Sequence, residues 1–220
     1  MTIFAYMTTI TQDADATAIV PSPEQLKALT HPIRLRLLGL LRLNGPQTAT
    51  QLAHTTHLNT GSTSYHLRML AKYGFIEKDG SMSSGRRLFW RASQLSTVTH
   101  APTGDERDDS GEIDALDAFQ QVIATEFSRQ LLDASQRWIT LPPTWRDIYT
   151  TSGFVMRVNA DEARELVGKI QKILVDAMHA HPLGLSAGHS NSTDVRAFSI
   201  QLNAFPTIGD DAAERNGKER

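Results

Sequence analysis

The chain has 220 residues, 40% of them hydrophobic, a formal charge of -2 and no cysteine. That length allows one or two domains with cores of their own, and the missing cysteine excludes disulfides, thiolate metal sites and cysteine catalysis. No apolar run approaches the ~20 residues of a membrane helix, and Met1–Val20 carry no Lys or Arg to start a signal peptide, so a cytoplasmic protein with no membrane role is expected.

Residues 1–21 read as a flexible tail. Ser22-Pro23-Glu24-Gln25 opens a helix, with Ser22 as cap, Pro23 at the first helical position and Gln25 completing a capping box. It stops near His31-Pro32. A second helix runs from Ile33 to Leu43, with Ile33, Leu37, Leu38 and Leu41 on one stripe, and Gly45-Pro46 ends it. Thr48-Ala49-Thr50-Gln51 is another capping box and starts a short helix whose Leu52 and Ala53 face inward. Thr56–Asn59 is a turn, and Asn59 caps a helix over 60–73 that Gly74 stops. Phe75–Lys78 begins a strand, Asp79–Gly85 is a polar loop, and Arg86–Arg91 returns as a second strand. Helices followed by a hairpin in about seventy residues predict a winged helix–turn–helix over 22–98.

Residues 99–112 read as a charged linker, with Asp109 and Glu112 placed to cap the next helix. Ile113, Leu116, Phe119, Ile123, Phe127, Leu131, Ala134 and Trp138 then recur every three or four positions, one long amphipathic helix. Phe154, Met156 and Val158 alternate as in a strand. Asn159 with Glu162 caps a further helix through Met178, and Phe198, Ile200, Leu202 and Ala204 alternate again. The expected fold class is α+β and helix-dominated, with a C-terminal long helix and β-α-β module over 113–206 and a flexible tail over 207–220. Part of the long helix is expected to form a dimer interface. Phe154, Met156, Phe198 and Trp138 either line a cavity or, more simply, form plain core.

Charge is divided unevenly. Ser22–Ala92 holds ten Lys/Arg against Glu24, Glu77 and Asp79, a surplus of +7, and everything from Ser93 onward sums to -7. The first half suits a polyanion. The major groove admits one helix, and short polar side chains at its start reach base edges. Thr60, Ser62, Thr63 and Ser64 offer such groups, Tyr65 and His66 reach further, and Arg68 can pair with guanine or grip a phosphate. Arg86 and Arg87 in the wing, 79–87, can press against flanking DNA. Arg34 and Arg36 suit a phosphate or an internal ion pair equally.

Leu29-Thr30-His31-Pro32-Ile33-Arg34-Leu35-Arg36-Leu37-Leu38 resembles the HPxRxxIL opening of the arsenical-resistance-repressor (ArsR/SmtB-like) winged helices. Ser64-Tyr65-His66-Leu67-Arg68 with Leu70 and Gly74-Phe75-Ile76 resembles that family's SxHLxxLxxxGLV recognition helix and strand. The resemblance covers Glu24–Ala92. It implies a homodimeric repressor or activator that binds an imperfect palindrome in double-stranded DNA, with contacts from Thr60, Ser62, Thr63, Tyr65, His66, Arg68, Arg86 and Arg87.

The chain departs from the family's thiolate sensors, having no Cys pair, and the long helix offers Asp114, Asp117, Glu126 and Asp133 but no His for a zinc-type site. His54 with His57, and His179, His181 and His189, lack a convincing fourth ligand, so no metal and no cofactor are expected. Any small-molecule effector is unknown. No P-loop, GxSxG or HExxH is present, so catalysis is not expected. The rival reading is a winged module used for protein or RNA assembly without sequence-specific DNA binding.

Overall fold

The computed structural model describes residues 6–8, 18–82, 87–99, 111–181 and 195–207. Two short strands, β1 (Tyr6–Thr8) and β2 (Ala18–Ile19), precede α1 (Pro23–Leu29) and α2 (Pro32–Asn44). Then come β3 (Gln47–Thr48), α3 (Ala49–Thr56), α4 (Thr60–Lys72), β4 (Ile76–Lys78), β5 (Phe89–Ala92) and β6 (Ser96–Thr99). The chain continues through α5 (Glu112–Arg137), a 3-10 turn (Trp138–Thr140), α6 (Pro143–Arg146) and α7 (Ala160–Ala180). The class is α+β and helix-dominated.

The helix starts follow local chemistry. Ser22 with Gln25 and Thr48 with Gln51 form the capping boxes expected of them. Gln25 also donates its Nε2–H to Tyr73 O at 2.9 Å, tying the start of α1 to the end of α4. Gly74 takes φ 77°, the left-handed stop after α4. Strands β4 and β5 form the antiparallel wing hairpin, Glu77 opposite Arg91, and β3 adds a third strand with Thr48 opposite Phe89. The sequence reading contained no β3, because a two-residue strand has no period to detect.

Leu29, Leu35, Leu37, Leu38, Leu52, Leu67, Leu70 and Phe75 are fully buried and form the centre of the core. In α2 Leu35 and Leu40 are buried beside the expected stripe, so this helix is enclosed on most sides. The core does not stop at residue 98. Ala115, Phe119 and Ile123 of α5 belong to it, because the first half of α5 packs along α1. A boundary at 112/113 therefore cuts through one hydrophobic core.

The N-terminal segment contributes structure as well. β1 and β2 both pair with β6 in parallel, at Met7 opposite Val98 and Ile19 opposite Thr97. Arg42 of α2 is buried there, donating from Nε to Gln94 O at 3.0 Å and from Nη2 to Thr97 Oγ1 at 2.9 Å.

The C-terminal region departs furthest from expectation. Neither Phe154–Val158 nor Val195–Phe205 forms a strand; the alternation is present but no neighbouring strand exists among the described residues to complete the ladder. The β-α-β module is thus absent, and α7 is a helix between extended segments. Phe154, Met156, Phe198 and Trp138 form no core, since all four are exposed. α5 starts from Gly111 without a side-chain cap; Asp109 lies outside the described residues. Beyond Glu126 no described residue is buried.

Candidate nucleic-acid interface

The helix–turn–helix corner is made by three residues. α3 ends on His57 at φ 58°, and Leu58 N–H donates to Ala53 O at 3.0 Å, closing the helix end. Asn59 Oδ1 then accepts the Ser62 N–H at 2.7 Å and starts α4. Leu67 and Leu70 of α4 enter the core, which determines the side of the helix that faces solvent.

Of the α4 residues expected to meet DNA, Thr60, Tyr65 and Arg68 are exposed, Tyr65 at 56%, and Ser62 and Ser64 are half-buried. Arg68 donates from Nε to Ser64 O at 3.2 Å, which lays its stem along the helix. Two residues are corrected. Thr63 is 0% exposed and its hydroxyl donates to Asn59 O at 3.1 Å. His66 is 8% exposed, its ring centroid 4.5 Å from that of His31. Neither side chain is presented to a duplex. The cause is spacing: 63, 66, 67 and 70 recur at three and four residues, which is the inward stripe of this helix.

Half-buried His31 and buried His66 form a ring pair on the inner side of α4. His31 Nδ1 accepts the Ile33 N–H at 3.2 Å and thereby caps α2. Burial lowers the pKa of both imidazoles; the neighbouring charge of Arg34 lowers it further in each, and His66 also feels His31. Arg34 is half-buried among these rings and Tyr65 and Tyr73, and Arg36 faces Arg129, Glu126 and Asp133 of α5. Arg36 is therefore an α2–α5 junction residue, which favours the internal alternative over the phosphate contact.

The wing begins at Asp79, whose carboxylate accepts from Ser81 N–H, Ser81 Oγ–H and Met82 N–H. These bonds, the Ser81 hydroxyl first, hold its carboxyl below the usual range. Arg87 is exposed, and Arg86 lies outside the described residues. Between wing and α4 runs an open groove with a volume of about 740 Å³, lined by 48–51 at the start of α3, by Ser64 and Arg68, and by 87–90 of the returning strand. Thr50, read from sequence only as part of a capping box, is a groove residue. That same capping box was its signal, because it leaves the open start of a helix facing the groove.

Among the described residues no group of three His, Asp or Glu gathers to hold a metal, and no helix is long and apolar enough to cross a membrane. His189 lies outside the described residues.

Residues 31–78 match the family model described as bacterial regulatory protein, arsR family. That span runs from the cap of α2 to the end of β4, so the match covers the helix–turn–helix and the start of the wing. Among solved structures, the chain is similar to the homodimeric winged helix–turn–helix DNA-binding domain of Mb0332 from Mycobacterium bovis, described as a possible ArsR-family transcriptional regulator. Identity is 26%, over 47% of this chain and 78% of that one, with a TM-score of 0.30. ZitR of Lactococcus lactis aligns at 13% identity over 70% of this chain and 87% of its own, TM-score 0.28. RV1404 of Mycobacterium tuberculosis aligns at 14% identity over 72% and 86%, TM-score 0.28. No curated protein matches the chain.

Proposed function

We propose that this chain is a homodimeric transcriptional repressor that binds an imperfect palindrome in double-stranded DNA, each copy setting α4 in a major groove and its wing, 79–87, beside it. One observation carries the reading. The exposed side of α4, with Thr60, Ser64, Tyr65 and Arg68, stands on a closed leucine core next to a groove bordered by Arg87. Polar groups held rigidly at a helix start are what base-edge recognition requires. The +7 surplus of Ser22–Ala92 supplies phosphate attraction, which gives most of the affinity and none of the sequence preference.

The contact set is narrower than the sequence suggests: Thr60, Ser62, Ser64, Tyr65, Arg68 and Arg87, with Arg86 in the wing and Thr50 added on a phosphate. The repressor role follows the family resemblance, and the reading assigns no catalysis, no cofactor and a cytoplasmic place of action.

Selection of a random duplex pool on the purified protein tests it. A two-fold symmetric sequence with half-sites about one helical turn apart is the expected product. Arg68→Ala is expected to weaken that site by about 1–3 kcal/mol if its guanidinium grips a base at two points. No enrichment, together with retention of a protein or RNA partner, establishes the assembly module instead. A promoter–reporter assay gives the sign of regulation.

A further inference from the structure

Glycine is disfavoured in a helix relative to alanine, because it gives up more backbone freedom and adds no side chain. α4 nevertheless carries one, Gly61, in its first turn. Its φ lies outside the left-handed region, so the backbone there suits alanine equally well. Packing does not ask for glycine either. Apart from its chain neighbours and its own helix backbone, a Cβ at 61 would meet a single described atom within 4 Å, Asn59 Oδ1 at 3.3 Å. No atom of Tyr65 comes that close, so room for the Tyr65 ring is not the reason. Position on the helix sets Gly61 apart. Residues 61, 65, 68 and 72 recur at four and three positions, on the line opposite the inward residues 63, 66, 67 and 70. All four are exposed. Gly61 therefore stands on the outermost line of α4, one turn before Tyr65 and two before Arg68.

We propose that Gly61 is a positioning residue for base reading: its bare backbone lets the first turn of α4 lie deep in the major groove, at the depth where Tyr65 and Arg68 reach base edges. The inference rests on the DNA-binding reading above and adds one residue to that same face. Close approach of a backbone to a ligand is a use for which glycine alone is suited. The major groove is about 12 Å wide, and a helix with its side chains is about 10–12 Å across, so the outer line has little slack. A side chain at 61 stands between helix and bases and holds Tyr65 and Arg68 away from them. The competing role is internal. Asn59 Oδ1 accepts the Ser62 N–H at 2.7 Å, and an alanine methyl at 61 would press on that cap. The two roles differ in sign: a crowded cap lowers stability, whereas a helix relieved of its glycine gains it.

The test uses the full chain and the duplex that the wild type selects. Gly61→Ala is expected to weaken binding to that duplex at least ~10-fold, the size of one lost base contact. Binding to a shuffled duplex of the same length is expected to stay within about twofold, because phosphate attraction is untouched. The melting temperature is expected to equal or exceed that of the wild type, since alanine is the better helix former. Gly61→Leu, a good helix former with a longer side chain, is expected to lose more affinity than Gly61→Ala. Asn59→Ala supplies the control for loss of the cap. Unchanged affinity in both Gly61 variants overturns the proposal. So does an equal loss on the two duplexes. A lowered melting temperature with a loss of affinity no larger than that of Asn59→Ala also overturns it and assigns Gly61 to the cap; a loss beyond that of Asn59→Ala, confined to the selected duplex, upholds it. A wild type that selects no duplex fails the DNA-binding reading itself, before any variant is compared, and removes both.

Discussion

The two halves of this molecule solve the same problem differently. The winged half buries eight or more large side chains in one cluster, with α1 and the first half of α5 closing it. The arm beyond Glu126 places comparable side chains on a helix and two extended segments and buries none. Apolar content alone therefore does not make a core. The winged half has several short helices that cross, whereas the arm's long helix α7 has none of its 21 residues buried. The first half closes its core within a single chain; the arm leaves its apolar side chains exposed.

Substitutions sharpen that contrast. The largest effect is expected in the winged half: Leu38→Ala, at a fully buried site, is expected to cost about 2–5 kcal/mol in urea unfolding. An equal loss for Ile173→Ala in a chain held monomeric would erase the distinction between the halves. At Gly74, φ 77° lies where L residues are strained although no neighbour crowds the position, so Gly74→Ala is expected to cost about 1 kcal/mol from backbone strain alone. Asn59→Ala removes the cap of α4 and is expected to cost about 1 kcal/mol, with a further loss of DNA affinity because the start of the reading helix frays. Both are read from thermal melts and duplex titration.

The histidine pair gives the winged half a pH dependence. Folding holds His31 and His66 below their ordinary value of 6.5. The unfolded chain then binds more protons below that pH, so stability falls as pH drops from 6.5 through the lowered folded values. His66→Phe is expected to flatten the slope in pH-dependent unfolding; an unchanged slope would assign it elsewhere. The smallest effect belongs to Glu77→Gln. Its pair with Arg91 spans the hairpin at 2.7 Å with both side chains half exposed, and such pairs contribute about 0–1 kcal/mol.

Much of the winged half was legible because its signals are local. Ser22 with Gln25, Thr48 with Gln51, Asn59 and Gly74 each mark a helix end by a hydrogen bond or a backbone angle confined to a few residues. What escaped was set at long range. β3 and β6 are two and four residues long and exist because β5, β1 and β2 lie beside them. In α4, residue type was legible and direction was not: Thr63 and His66 are polar, but their register with Leu67 and Leu70 turns them inward. The alternation at Phe154–Val158 is real in sequence, and a strand still requires a neighbour.

The 26 residues of α5 form one uninterrupted rod, about 39 Å long at 1.5 Å per residue. One end is clamped on α1 through Phe119 and Ile123, and the other carries Leu131 and Leu132 into the arm. On a rod of that length, a tilt of about 5° at the clamped end displaces the far end by roughly 3 Å. In the proposed dimer, the distance between the two α4 helices is thereby geared to how the far ends of α5 are held, and a small twist there is magnified into a mismatch with the period of the double helix.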